Sequence, residues 1–424
     1  MKFIVIGITD HPEPFFPPEV MEVIRYGKIF SGGKRHHEIV SPLLPVDAQW
    51  IDITIPLHDV FEQYNSVTYH LSPLTPIIIF ASGDPLFFGF ANTIKRKMPD
   101  ADIVVFPTFN SLQILAHRLV MPYHDMRIVS LTGRPWQEFD RAIIERSEKI
   151  GVLTDKEHTP AAIARRMLEY GYGEYTMYVG EHLGNPKLEK VSTISLEEAA
   201  NGDFSMPNCV ILHTEKTRNP LFGIPDRQFS LLNGREKMIT KMPIRLLTLQ
   251  ALDLPKRHVF WDIGFCTGSV SIEARLQFPH LQIEAFEIRQ ECEAIIQDNA
   301  RRFGAPGINI HIGDFLKMDI SALLRPDAVF IGGHGGRLKE IMAKILTSLT
   351  PDVSLSLIVS HLLSLPECQT VLPVASYGMM HAKNFICISP NPSESFLTTI
   401  IPSRFCELDF MKTRTKTIVS ALIY

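Results

Sequence analysis

Short runs of apolar, largely β-branched residues recur along the whole chain. They fall at 3–7, 77–80, 103–106, 127–131, 151–154, 175–179 and 209–213, then at 259–263, 283–287, 308–312, 328–331, 355–359 and 385–388. Many lack the polar alternation of a half-buried strand, so they read as strands covered on both faces. Helical spacing separates several of them. Thr159 is a candidate N-cap, Pro160 suits the first helical position, and Gly171 follows the last turn, with Ile163, Met167 and Tyr170 on the apolar face. A second helix is expected over 290–303, with Cys292, Ile295, Ile296 and Phe303 on one stripe. Strands alternating with helices predict an α/β fold with mostly parallel sheets.

A chain of 424 residues exceeds one ordinary domain. The segment TEKTRNPLFGIPD near 214–226 is polar, carries two prolines and follows an apolar strand, so a boundary is placed there, with domains over 1–214 and 222–424. Apolar residues make up 45%, enough to bury real cores and to exclude wholesale disorder. A net charge of −4 provides no global basic field for nucleic acid or an anionic membrane. Cysteines 209, 266, 292, 368, 387 and 406 form no CxxC pair, so they read as isolated thiols of a reducing cytosol rather than a disulfide framework or zinc site. The N-terminal MKFIVIGITDHPEP reads as strand and turn, no apolar run is long enough to span a bilayer, and SALIY at 420–424 reads as a last strand.

In VFWDIGFCTGSVSIEAR (259–275) an apolar strand carries Asp262 near its end, a turn with Gly264 and Gly268 follows, and a helix begins near Ser269. Glycine lets a backbone pass close to a ligand and take positive φ, and a first helical turn has free N–H groups. About twenty residues on, the next strand ends in Glu287, where nucleotide-binding sheets place an acid against ribose hydroxyls. HIGDF then brings Asp314 to a third strand end, suited to an adenine edge, and DAVFIGGHGG closes a fourth. A dinucleotide site would require G-x-G-x-x-G, but this turn reads G-F-C-T-G-S. The ordered set resembles the class I S-adenosylmethionine (SAM) methyltransferases. With GIPDRQF (223–229), MITKMPIRLLTLQALDL (238–254) and GGHGG (332–336), the half resembles the decarboxylating cobalamin-pathway methyltransferases acting on precorrin-6Y or its cobalt equivalent. That family usually has glycine where this chain has Cys266, and a small residue is expected where His334 stands. The resemblance adds Thr240 to the cofactor residues and makes Gly333, His334 and Gly335 candidates for the catalytic loop.

Upstream, ASGDPLFFG (81–89) follows the strand IIIF, with Gly83 allowing a tight turn before Asp84-Pro85. It resembles the SGDP loop of the tetrapyrrole methylases, a two-lobed class III fold that also binds SAM. SGGKRHHE (31–38), FPTFNSLQILAHRL (106–119), RIVSLTGR (127–134), VLTDKEHTPAAIA (152–164) and VGEHLGNPKLE (179–189) match in the same order. The first loop departs: the family has GxGPG and this chain has GITDHPEP, in which only Gly7 survives. Lys34, Arg35, His36 and His37 read as a loop, either a solvated basic turn or a source of cations for an acidic macrocycle. His36 and His37 have no third ligand at recognisable spacing, so no metal is expected. The resemblance implies Gly7, Gly83, Asp84, Pro85 and Ser111 at the cofactor.

Together the resemblances imply an N-terminal tetrapyrrole methylase fold followed by a Rossmann-like class I fold, two SAM sites and a small-molecule tetrapyrrole substrate. They imply methylation of carbon 5 by the first half, and of carbon 15 with loss of CO2 from the ring C acetate by the second. A cytoplasmic homo-oligomer without nucleic-acid or membrane partners is expected. The competing reading is an RNA or protein methyltransferase with an inactive N-terminal scaffold, because fold alone does not fix function.

Overall fold

The computed structural model describes residues 1–71, 75–216 and 221–347, and the backbone of 356–360, 384–388 and 398–400. Cys368, Cys406 and the 420–424 segment lie outside the described residues. The chain divides into two units, one of Met1–Ile224 with Arg275–His280 and Gln297–Gly307, the other of Pro225–Ala274, Leu281–Ile296 and Ile308–Tyr424. Among the described residues no helix is long and apolar enough to cross a membrane.

The first unit holds two sheets. The strands β1 (Lys2–Ile8), β2 (Ile29–Gly32), β3 (Gln49–Asp52), β4 (Ile77–Ser82) and β5 (Asp102–Phe106) form a sheet in the order β3-β2-β4-β1-β5, every pair parallel. Successive residues feed opposite cores: Phe3, Val5, Ile77 and Ile79 pack on one face, Ile4, Ile6, Ile78 and Phe80 on the other. Both faces are covered, and that is why these strands read as unbroken apolar runs. The strands β6 (Arg127–Ser130), β7 (Lys149–Leu153), β8 (Thr176–Glu181), β9 (Lys190–Ser195) and β10 (Asn208–His213) form the second sheet, in the order β6-β7-β10-β8-β9. Here the expectation of mostly parallel pairing fails. Only β6–β7 is parallel; β10 runs antiparallel to β7 and β8, and β8 to β9. The short connection from β8 to β9 returns the chain directly, without the helix that a parallel neighbour requires. The helix Pro160–Glu169 follows the sequence reading: Thr159 Oγ1 accepts the Ala162 N–H at 3.2 Å, and Ile163 and Met167 are fully buried.

The second unit has one sheet of β11 (Val259–Ile263), β12 (Gln282–Glu287), β13 (Ile308–Ile312), β14 (Ala328–Ile331), β15 (Ser356–Ser360), β16 (Asn384–Ile388) and β17 (Thr398–Ile400). Its order is β13-β12-β11-β14-β15-β16-β17, parallel up to β16 and antiparallel at β17. The strand order reverses between β11 and β14. Open α/β sheets form their ligand crevice at the carboxyl ends of such a pair. Trp261, Ile263, Phe286, Val329 and Ile331 pack with Leu338, Ile341 and Ile345 of the helix Leu338–Thr347, fixing that edge of the crevice.

Candidate functional site

In the first unit, three loops meet beyond the ends of β1, β4 and β5. A Cβ on Gly7 would lie 2.3 Å from the Gly83 carbonyl oxygen and 2.8 Å from Thr108 N, so only glycine permits the approach. Gly83 has φ +61, and Gly83 N donates to Ile8 O at 2.8 Å. Asp84 Oδ1 accepts the Leu86 N–H at 2.8 Å, which shapes the turn over buried Pro85. Ser111 opens the helix Ser111–Arg118, capped by Asn110, and its hydroxyl meets the Cys209 thiol, which burial pushes up to about 12. The expected residues Gly7 and Gly83 are thus brought together, with Asp84 and Pro85 continuing the same loop.

The basic tetrad is not a loop. Lys34, Arg35, His36 and His37 begin the helix Lys34–Val40, which Gly33 caps in an extended conformation. Burial, then neighbouring Arg35, lower the His36 pKa to about 4, so His36 is neutral at pH 7. His37 stacks on Trp50 with centroids 4.1 Å apart. His36 is thus no cation, and His37 lies against an aromatic ring. The departing first loop supplies Asp10, which lies 3.2 Å from Arg35 and 3.1 Å from His182, a set the sequence reading missed.

In the second unit the predicted residues converge at the switch point. Asp262, at the end of β11, is fully buried; Ser271 Oγ donates to one carboxylate oxygen at 2.5 Å while Oδ1 has no partner. Burial pushes Asp262 up to about 7, against the pull of the Ser271 hydrogen bond. Gly264 has φ +77, and a Cβ there would lie 2.7 Å from both N and O of Gly333. The turn after β11 and the glycine loop after β14 therefore pass backbone to backbone. A Cβ on Gly268 would meet Ile296 at 2.3 Å. Cys266 has φ +51, which accounts for the glycine usual at this position. Its thiol is buried beside Cys292, and burial raises its pKa, so it is no activated nucleophile.

Glu287 ends β12 with a side chain 2% exposed. Its carboxylate accepts the Cys266 N–H at 2.9 Å and a two-pronged contact from Arg289. Burial alone would raise this carboxyl, but Arg289 and the backbone donors more than offset it, leaving the pKa below the ordinary glutamate value. Asp314 accepts the Leu316 N–H and pairs with Arg337 at 3.1 Å, joining the third strand end to the residue that follows the glycine loop. His334 Nδ1 accepts the Gly336 N–H at 3.2 Å, and Gly335 takes φ +54. Thr240 belongs to a different network: its carbonyl accepts from buried Arg245, which pairs with Asp226 at 2.7 Å and Glu273 at 3.4 Å. Ile288, 64% exposed directly after the acid, and Arg289 were both missed; the run Glu-Ile-Arg at a strand end was the available signal.

This strand order, a glycine turn crossing the loop of the neighbouring strand, and a buried acid ending the second strand give the Rossmann-like α/β architecture of the class I methyltransferases. A family model described as precorrin methyltransferase domain matches residues 233–370. The chain is 29% identical over 332 residues to the Precorrin-6Y C(5,15)-methyltransferase [decarboxylating] of Sinorhizobium sp, covering 78% of each chain. Over 120 residues it is 38% identical to the Cobalt-precorrin-6B C(15)-methyltransferase (decarboxylating) of Salmonella typhimurium, covering 28% of this chain and 61% of that one. Over 210 residues it is 29% identical to the Cobalt-precorrin-7 C(5)-methyltransferase of the same organism, covering 49% of this chain and 97% of that one. Of some curated relatives the chain spans just under two thirds, 61% to 63% of their length. The chain is an enzyme of the SAM-dependent precorrin methyltransferase type, similar over most of its length to a precorrin-6Y C(5,15)-methyltransferase (decarboxylating).

The residues fit that cofactor. The Gly264–Gly333 crossing holds two loops together at the strand ends, and Asp262 in the same strand end holds a buried oxygen without a partner.

Proposed function

We propose that residues 1–214 methylate carbon 5 and residues 222–424 methylate carbon 15 of a precorrin-6Y-type macrocycle, cobalt-free or cobalt-loaded. The second half also promotes loss of CO2 from the ring C acetate. The observation carrying this reading is that one chain has two sets of glycine loops meeting closely at parallel strand ends, in separate units. Each serves one SAM. When bound, the cofactor supplies an electrophilic methyl group.

The residues of the chain orient and shield the reactants. In the second half Glu287 takes the ribose hydroxyls, Asp314 the adenine edge, and the backbone of Gly264 and Gly268 admits the rest. In the first half Gly7, Gly83, Asp84, Pro85 and Ser111 form the corresponding set. Gly333, His334 and Gly335 offer N–H donors to the carboxylate that departs as CO2. An electron-rich ring carbon is its own nucleophile, so no Ser/His/Asp set is required; orientation contributes up to roughly 7–11 kcal/mol in favourable cases.

Calorimetry with S-adenosylhomocysteine tests the reading. The intact chain should bind two equivalents, and Glu287→Ala should abolish one and spare the other. Loss of neither would remove Glu287 from the ribose; a single equivalent in the wild type would remove the two-site reading.

A further inference from the structure

Arg289 holds the one carboxylate that the ribose must reach. Five N–H donors converge on Glu287. Oε1 accepts from Ile288 N at 2.9 Å, Arg289 N at 3.2 Å and Arg289 Nε at 2.9 Å; Oε2 accepts from Cys266 N at 2.9 Å and Arg289 Nη2 at 2.7 Å. A carboxylate has about four lone-pair positions, so none is left for a diol. Three of the donors are backbone groups fixed by the turn after β11 and the end of β12. The guanidinium alone can leave by side-chain rotation. It is also the outer partner, 34% exposed over an acid that is 2% exposed.

We infer that Arg289 is a displaceable latch on the second cofactor site. Binding exchanges two guanidinium N–H donors for two ribose O–H donors on the same oxygens, and the released Arg289 returns to water. A bidentate Arg–carboxylate pair is strong and directional. The measured affinity is therefore the intrinsic affinity reduced by the fraction of molecules already unlatched. Arg289 is a positioning residue that sets cofactor affinity without being needed for the chemistry. This rests on the ribose role proposed above for Glu287.

The test is calorimetry on the full chain, reading the binding step that Glu287→Ala removes, with SAM and with S-adenosylhomocysteine. Arg289→Met should tighten both ligands by about tenfold. Removing a positive charge would by itself favour cationic SAM over its neutral product, so tightening confined to SAM would overturn the latch. Weaker or unchanged binding of both would overturn it too, because Arg289 would then be steadying Glu287. Salt gives a second readout: a partly exposed pair is screened, so raising salt should tighten the wild type and leave Arg289→Met unmoved. If Arg289→Met fails to fold, Arg289→Gln carries the same comparison with a milder gain. Glu287→Gln separates the two failures: full binding by that variant sinks the ribose role itself, whereas lost binding with no gain in Arg289→Met sinks only the latch.

Discussion

Asp262 is an acid that the fold keeps at an unusual pKa, and the direction has a consequence for stability. Burial without a partner for Oδ1 favours the neutral form and lifts the pKa to about 7. In the unfolded chain an aspartate titrates near 3.9. Between roughly pH 4 and pH 7 the folded protein therefore holds a proton that the unfolded chain has lost, so stability falls as pH rises through this window. Asp262→Asn should remove that slope and stabilise the free protein at pH 8 by roughly 2–4 kcal/mol. Urea unfolding at pH 5 and pH 8 reads it; an equal or lower midpoint for the variant at pH 8 would contradict the assignment. Cys266 is another residue whose pKa is set by its environment in the fold. A helix N-terminus would depress its thiol, but enclosure beside Cys292 raises it. Exposure is a tertiary property, and no local pattern announces it.

At the scale of elements, the close crossing of two loops makes the sharpest test. Gly264→Ala combines positive φ with a Cβ 2.7 Å from Gly333 backbone atoms, which cannot rotate aside. We expect a cost of about 1–3 kcal/mol in unfolding free energy and loss of the second cofactor site, with the first unaffected. Two retained equivalents in calorimetry would mean that the loops part without harm. The elements also mark where sequence was legible. Buried central strands such as β1, β4, β11 and β14 were readable, because covering both faces demands an apolar residue at every position. The strands β2, β3, β9 and β17 were missed. β3 (QWID) and β9 (KVSTIS) are edge strands whose exposed positions are mostly polar. An edge is recognised by its partner and not by its own composition. The Lys34–Val40 helix is hidden in the sequence, where its charges mask a capped first turn and the packing of His37 on Trp50.

Across the whole molecule, the glycines that let loops meet at strand ends were legible, because there sequence order and spatial order coincide. The side chains that occupy the key acids were not: Arg289 on Glu287 and Arg337 on Asp314 are contacts of folded loops. The division of labour between the halves can be tested by one substitution. Gly335 has φ +54 and open space around its missing Cβ, so a valine there is resisted by backbone conformation and not by crowding. Gly335→Val should cut carbon-15 methylation and CO2 release at least tenfold, by roughly 1.4 kcal/mol or more in barrier, and leave carbon-5 methylation intact. Product analysis by mass spectrometry distinguishes the two, and equal loss of all three would refute the assignment. The meeting of Gly7 with the Gly83 carbonyl carries a lesson for engineering. It pins the first strand to the fourth through a point where no side chain fits, so the stretch from Thr9 to Pro14 hangs from a fixed hinge. Residues along that stretch can be substituted one at a time while β1 and β4 stay in register.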